Sequence, residues 1–192
     1  MTEASSNSPK PLLREKGRLM SASEIERTLV RLAHEIVEKS NASTNLALVG
    51  IKRRGIPIAQ RLAQLISTIE KRNVEHGVLD INFYRDDLTT TDIRPVVHPG
   101  AVGFDVNGRN IILCDDVLYT GRTIRAALDA LFDHGRPERV QLLVLIDRGW
   151  RELPIEAQYV GRTIQTTDRE IIEVKFREVD KDEQVLLVER TD

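Results

Sequence analysis

A single cysteine, Cys114, stands in the whole chain. That excludes an internal disulfide framework and a thiolate zinc cluster. Its place in an apolar run marks it as a core residue rather than a nucleophile. The four histidines, His34, His76, His98 and His134, show no paired spacing such as H-x-x-x-H, so a histidine metal site is not expected. Nor is there a surplus of positive charge: 28 Lys and Arg face 30 Asp and Glu, for a formal charge of −2. A protein that coats nucleic acid unselectively is clearly basic, so any nucleic-acid role here has to come from a local patch. No apolar run approaches the length of a membrane span. The N-terminus is Ser-rich and lacks the apolar core of a signal peptide, so the expected location is the cytoplasm. No internal repeat is visible.

What is present is ordinary globular composition: 192 residues, 41% hydrophobic and 30% charged. It excludes collagen, coiled coil and wholesale disorder, and the length fits one domain with a small appendage. A chain of this size buries roughly two-thirds of its unfolded surface and needs no staple. Residues 1–17 begin polar and carry two prolines, which predicts a flexible N-terminal arm ahead of a single domain over 18–192. Ser21 and Ser23 each precede a Glu by three positions, a capping-box pattern, and Ile25, Leu29, Leu32 and Ile36 then make one apolar helix stripe.

Leu46–Ile51 is a continuous apolar run, as in a strand buried on both faces. Pro57 suits the first turn of the helix that follows. Val78–Tyr84 alternates like a strand. Residues 86–109 have no period and carry Pro95, Pro99, Gly100, Gly103 and Gly108, which predicts a mobile functional loop. Asn110–Cys114 and Val140–Ile146 read as strands around a helix over Thr123–Phe132, and Ile171–Phe176 with Gln184–Glu189 reads as a hairpin. Alternating strands and helices imply βαβ units and a parallel sheet. Ligands of such sheets bind beyond the strands' carboxyl ends, where strand order reverses. Those ends carry Lys52-Arg53-Arg54-Gly55, Asp115-Asp116 and Asp147-Arg148-Gly149.

The most informative string is Ile111 to Thr123, a strand, two carboxylates, a turn of small and hydroxyl residues, and a helix N-terminus. Unpaired N–H groups and the positive dipole end there suit a phosphate. Gly121 lets the backbone approach closely, and Thr120 and Thr123 add hydroxyl donors. Two carboxylates beside a phosphate cradle suit ribose hydroxyls, a developing positive charge on a sugar ring, and a nearby Mg²⁺. The pattern lacks the lysine of a P-loop.

This string resembles the signature with which type I phosphoribosyltransferases bind 5-phosphoribosyl 1-diphosphate (PRPP). LALVGIKRRGIPIAQRLA, LDINFYRDDLT, GRPERVQLLVLIDRG and RELPI resemble the bacterial branch of that family that joins uracil phosphoribosyltransferase to attenuation of pyrimidine operons. The resemblance runs from about Ile25 to Glu189. It implies an α/β fold with a central, mostly parallel sheet flanked by helices, a C-terminal strand hairpin and a small hood. It implies that Lys52, Arg53, Arg54 and Gly55 bind the pyrophosphate of PRPP. Arg53 departs from the family's usual threonine. Asp115 and Asp116 would hold the ribose hydroxyls, with Mg²⁺ carried by PRPP beside them. Val117, Leu118, Tyr119, Thr120, Gly121, Arg122 and Thr123 would cradle the 5′-phosphate. Arg85 would act in catalysis at the start of the lid, and Arg148 and Val160 would border the base. Purine-salvage relatives carry an acid where Tyr119 stands, which favours a pyrimidine.

The implied reaction converts uracil and PRPP to UMP and pyrophosphate. The same resemblance implies a homodimer, or a larger homo-oligomer, that binds a pyrimidine operon mRNA stem-loop under control of UMP or UTP and promotes termination. Arg27, Arg31, His34, Lys39 and Arg162 would form the basic RNA surface. Two positions depart from the family: Trp150 replaces a histidine, and Glu156 stands where a basic residue is common. A salvage enzyme without RNA regulation, or an RNA-binding regulator with little catalysis, remain the alternatives.

Overall fold

The strand Leu46–Ile51 (β2) is buried at every position, as its unbroken apolar sequence requires of a strand covered on both faces. It sits inside a five-stranded sheet of order β3-β2-β4-β5-β6. The partners are β3 (Glu75–Leu79), β4 (Asn110–Leu118), β5 (Arg139–Asp147) and β6 (Tyr159–Thr163), and every pairing is parallel. The computed structural model describes residues 12–40, 45–82, 84 and 102–191. Arg85 and most of the expected lid therefore lie outside the described residues.

Alternation along these strands divides the core. Leu48, Ile112, Cys114, Leu143 and Leu145 face helices α1 (Ala22–Ser40) and α2 (Gly55–Glu70). Val49, Ile111, Leu113, Leu142 and Val144 face helix α3 (Arg122–Asp133), with Val102 and Val106 on the same side. Helix α1 starts where the capping box places it: the Ser21 N–H and hydroxyl both donate to Glu24 Oε2 at 2.8 Å. Its stripe of Ile25, Leu29, Leu32 and Ile36 is buried.

A second, antiparallel sheet has the order β1-β8-β7, from Leu12–Ser21 (β1), Gln184–Thr191 (β8) and Glu170–Lys175 (β7). Its last two strands are the expected hairpin, joined through one helical turn, α4 (Arg177–Asp180). The first strand corrects the expectation of a free arm over 1–17: residues 12–15 and 17 pair with β8, from Leu12 opposite Thr191 onward, with an irregularity at Lys16. Lys16 fastens this edge through an ion pair with Glu170 at 2.7 Å.

Three further boundaries differ from the sequence reading. β3 begins at Glu75 rather than Val78 and ends at Leu79, because it must lie in register with Ala47–Ile51. β4 does not stop at Cys114 but carries both carboxylates on to Leu118, held by pairing with β5. β6 was not expected as a strand. Only Tyr159 of its five residues is buried, so its pattern is weak.

Candidate active site

β2 and β4 pair only as far as Gly50 and Cys114. Beyond that, β4 continues alongside β5 while the chain from β2 turns away into α2. Because β2 has β3 on its other flank and β4 has β5, strand order reverses here, where a crevice opens in such sheets. The crevice is an open pocket of about 400 Å³, lined by Lys52, Arg53, Arg54, Asp115, Asp116, Val117 and Thr123 together with Ile51, Ile81 and Asn82. The structure thus brings together the cationic loop after β2, the carboxylate pair and the start of α3. Ile81 and Asn82, just beyond β3, were not singled out by sequence. A larger cavity of about 910 Å³ lies elsewhere, between α1 and α2.

The three cations of the loop are not equivalent. Lys52 Nζ pairs with Asp80 at 2.8 Å. Arg54 forms a fork with Asp180 of α4, Nε to Oδ2 at 3.1 Å and Nη2 to Oδ1 at 2.7 Å. Arg53 is exposed, and its side chain makes no hydrogen bond or ion pair with the described residues. The Lys52–Arg53 peptide is cis. Gly55 contributes by absence: a Cβ there would collide with the Cys114 carbonyl oxygen. Glycine therefore lets the first turn of α2 lie directly on β4.

Asp115 is buried, and its Oδ1 accepts the Asp116 N–H at 3.0 Å. Asp116 Oδ1 accepts the Val117 N–H at 2.9 Å. Burial pushes the Asp116 carboxyl pKa up, and the nearby Arg54 charge pulls it back. Tight local bonding thus fixes the direction of both carboxylates.

The loop into α3 is clamped from outside. Arg151 Nη1 donates to the Tyr119 carbonyl at 2.9 Å and the Gly149 carbonyl at 3.0 Å, and reaches that of Leu118 at 3.5 Å. Its Nε donates to the Ile155 carbonyl at 3.0 Å and its Nη2 to Asp147 at 2.6 Å. The Glu152 and Leu153 N–H groups both donate to the Thr120 carbonyl, and Arg122 pairs with Glu152 at 2.7 Å. The carbonyls of the turn are thereby satisfied on one side. Gly121 caps α3 at φ 93° and brings no side chain of its own, and the Arg122 N–H reaches the Thr120 hydroxyl at 3.4 Å. First-turn amides at such a terminus are the donors that hold anions. Sequence reading missed Arg151, although RELPI was noted, because the string alone does not show where its guanidinium folds back.

Arg148 is only 6% exposed. It lies 4.0 Å from the Tyr119 ring centroid, with Nε donating to Thr166 Oγ1 at 3.1 Å and Nη2 to the Thr167 carbonyl at 3.3 Å. Burial lowers its pKa. Trp150 is exposed, and its Nε1–H donates to the Thr166 carbonyl at 2.8 Å. Val160, expected beside the base, instead packs on the core layer under α3 and is not part of the pocket. Leu118 is likewise a core residue that offers the turn only its carbonyl.

Of the five expected RNA-binding residues, Arg27, Arg31 and Arg162 share a shallow pocket with Glu24 and Gly161. Two of them already serve the fold: Arg31 Nη2 donates to the Val160 and Gly161 carbonyls, and Arg162 Nη1 to that of Leu19. His34 lines the groove between α1 and α2. Lys39 pairs with Glu35 at 2.7 Å and lies over the Tyr159 ring.

The phosphoribosyl transferase domain model matches residues 18–179. The chain is 53% identical over 178 residues to the bifunctional protein PyrR of Pelotomaculum thermopropionicum, covering 93% of this chain and 98% of that one. It is 54% identical over 178 residues to the bifunctional protein PyrR of Thermus thermophilus, with the same coverage. Among solved structures, a Staphylococcus aureus hypoxanthine phosphoribosyltransferase superposes with a TM-score of 0.68 at 19% identity, over 90% of this chain and 92% of that one. The hypoxanthine phosphoribosyltransferase of Trypanosoma cruzi gives 0.70 at 14% identity, over 92% and 98%. At such identities the last two share the fold alone.

Proposed function

Because the chain belongs to the PyrR family of phosphoribosyl transferase domain proteins, we propose that it is a uracil phosphoribosyltransferase that also regulates pyrimidine operon transcription. The observation that carries the catalytic half is the convergence, in one pocket at the strand-order reversal, of a cationic loop and two carboxylates beside the start of α3.

PRPP presents two anionic ends and a ribose diol between them. The loop from Lys52 to Gly55 takes the diphosphate, the first turn of α3 the 5′-phosphate, and Asp115 and Asp116 the hydroxyls. Cleavage of the C1′–O bond leaves its electron pair on the departing pyrophosphate and gives the ribose oxocarbenium character. Uracil N1 then bonds to C1′ while its N1 proton is released to the departing pyrophosphate or to water, and UMP and pyrophosphate result. The two carboxylates stabilise the cationic ring electrostatically, so the chain's contribution is positioning and preorganised charge. Mg²⁺ fits the donor set. The described residues hold no cluster of three or more metal-binding side chains, and this ion ordinarily takes one or two carboxylates plus substrate phosphates. Asp115 and Asp116 would hold it with PRPP, where it neutralises charge on the leaving group. We assign the base to the stacked Tyr119 and Arg148, which lie outside the lining of the pocket, and the phenol in place of an acid supports a pyrimidine.

For the regulatory half, Arg27, Arg31 and Arg162 supply a local cationic patch on a chain without net positive charge. A homodimer, or a larger assembly, would set two such patches against one mRNA stem-loop, and UMP or UTP in the PRPP site would strengthen binding. No helix among the described residues is long and apolar enough to cross a membrane, and we place the protein in the cytoplasm.

Turnover with PRPP and Mg²⁺ is to be measured with uracil, orotate, hypoxanthine and guanine in parallel. Uracil is expected to be the preferred acceptor, and preference for a purine would overturn the reading. Titration with a pyrimidine-leader stem-loop against a scrambled RNA, with and without UMP, tests the second half. Equal weak binding of both RNAs would leave a salvage enzyme alone.

A further inference from the structure

We propose that Asp180 is a positioning residue for phosphoribosyl transfer: through its fork with Arg54 it holds the loop after β2 so that Arg53, not Arg54, meets the diphosphate of PRPP. The inference rests on the phosphoribosyl-transfer reading above.

The geometry leaves Arg54 little freedom. Both Nε and Nη2 are bound to Asp180, in the bidentate arrangement that makes Arg–carboxylate pairs strong. Oδ2 of the same carboxylate accepts the Phe176 N–H at 3.0 Å, so its orientation is set by the backbone. The Asp180 side chain is 14% exposed and that of Arg54 32%. The turn carrying Asp180 is itself fastened to α2. Arg61 forks onto Glu178 at 2.8 and 2.9 Å and also binds Glu183, while Arg177 pairs with Glu183 at 3.1 Å. Arg54 lies at the junction of the loop and α2, so fixing it fixes where the loop leaves the helix. The outer sheet thereby sets the shape of the diphosphate subsite, although no residue of α4 lines it. With Lys52 paired to Asp80 and Arg54 to Asp180, Arg53 is the loop cation whose side chain has no hydrogen-bonded or ion-paired partner among the described residues, and it feels Asp180 only through longer-range charge.

The opposing possibility is that Asp180 competes with PRPP and releases Arg54 on binding. The two make opposite predictions. Steady-state kinetics against PRPP at saturating uracil are to be measured for Asp180→Asn, Asp180→Glu and Arg53→Ala, with a calorimetric titration of Mg²⁺–pyrophosphate and a thermal melt of each. Asp180→Asn is expected to raise KM for PRPP about tenfold with kcat within about twofold, since a subsite is misplaced and the reacting groups are not. Asp180→Glu recovers part of that loss, and Arg53→Ala raises KM similarly without altering the melt. A lower KM in Asp180→Asn would show competition and overturn the proposal, as would an unchanged KM with only a lower melting temperature. If Asp180→Asn does not fold, an unchanged KM and pyrophosphate affinity in Arg53→Ala overturns it equally. A folded parent that binds pyrophosphate but transfers phosphoribose to no base would refute the activity reading, and the titrations would still decide the role of Asp180.

Discussion

Arg151 binds the carbonyls of Tyr119, Gly149 and Ile155 and the carboxylate of Asp147, all with one guanidinium. Arg151→Met leaves those acceptors without their donor. Hydrogen bonds to a charged group are worth about 1.5–3 kcal/mol, so a loss of about that size in stability is expected, with a higher KM for PRPP. Arg151→Lys is expected to rescue little, because an ammonium cannot reproduce the planar fork. Thermal melts and PRPP kinetics check both. Asp115→Asn and Asp116→Asn should each lower uracil turnover at least tenfold, about 1.4 kcal/mol of barrier, while circular dichroism remains that of the parent. Turnover at the parent rate in the double variant would remove both from the site. Burial, and secondarily Asp115, pushes the Cys114 thiol pKa up. The folded protein is therefore expected to be inert to a thiol reagent that labels Cys114 at once in denaturant. At this scale the sequence singles out residues by their neighbours in the chain, such as Asp115, Asp116 and Gly121, which the structure places in the pocket and at the start of α3. It could not reveal Asp180, which reaches Arg54 across a separation of 126 residues.

The buried strands β2, β4 and β5 and the helices between them were legible because covering both faces of a sheet demands continuous apolar runs. β1 was not. It holds Arg14, Glu15, Lys16 and Arg18, all exposed, and even Leu13 is 54% exposed. Its place depends on the β8 ladder, not on a local pattern. The outer sheet is accordingly tied by charge. Lys16, then the Thr167 N–H, hold the Glu170 carboxyl down to about 2. A carboxylate lowered by folding adds stability above its unfolded pKa and loses it as pH falls through the folded one. The contribution is thus complete above about pH 4.5 and disappears towards about pH 2. Between those values the melting temperature of the parent should fall more steeply than that of Glu170→Gln. Parallel curves would show that Glu170 is not coupled to folding.

Taken whole, the fold class and the position of the pocket followed from the alternation of strands and helices, since strand-order reversal is a property of the topology. The proposed RNA surface is less legible because its charges come from α1 and β6, and two of its arginines are half committed to backbone carbonyls. With so little local charge, Glu156 matters. Glu156→Arg is expected to tighten stem-loop binding, with the gain shrinking as salt rises. Arg27→Ala with Arg31→Ala should weaken it. A salt-series titration reads both, and a gain independent of salt would mean that Glu156 does not face the phosphates.

The pairing of Leu12 with Thr191 and of Ser21 with Gln184 has a mechanical consequence. Both ends of the described chain leave from the same end of one antiparallel ladder. Tension applied to the two termini peels that ladder pair by pair, like a zipper, and does not load all its bonds in parallel. In a force-extension experiment the edge strand should release first and at low force. The five-stranded sheet, and with it the pocket, would stay folded until later in the trace.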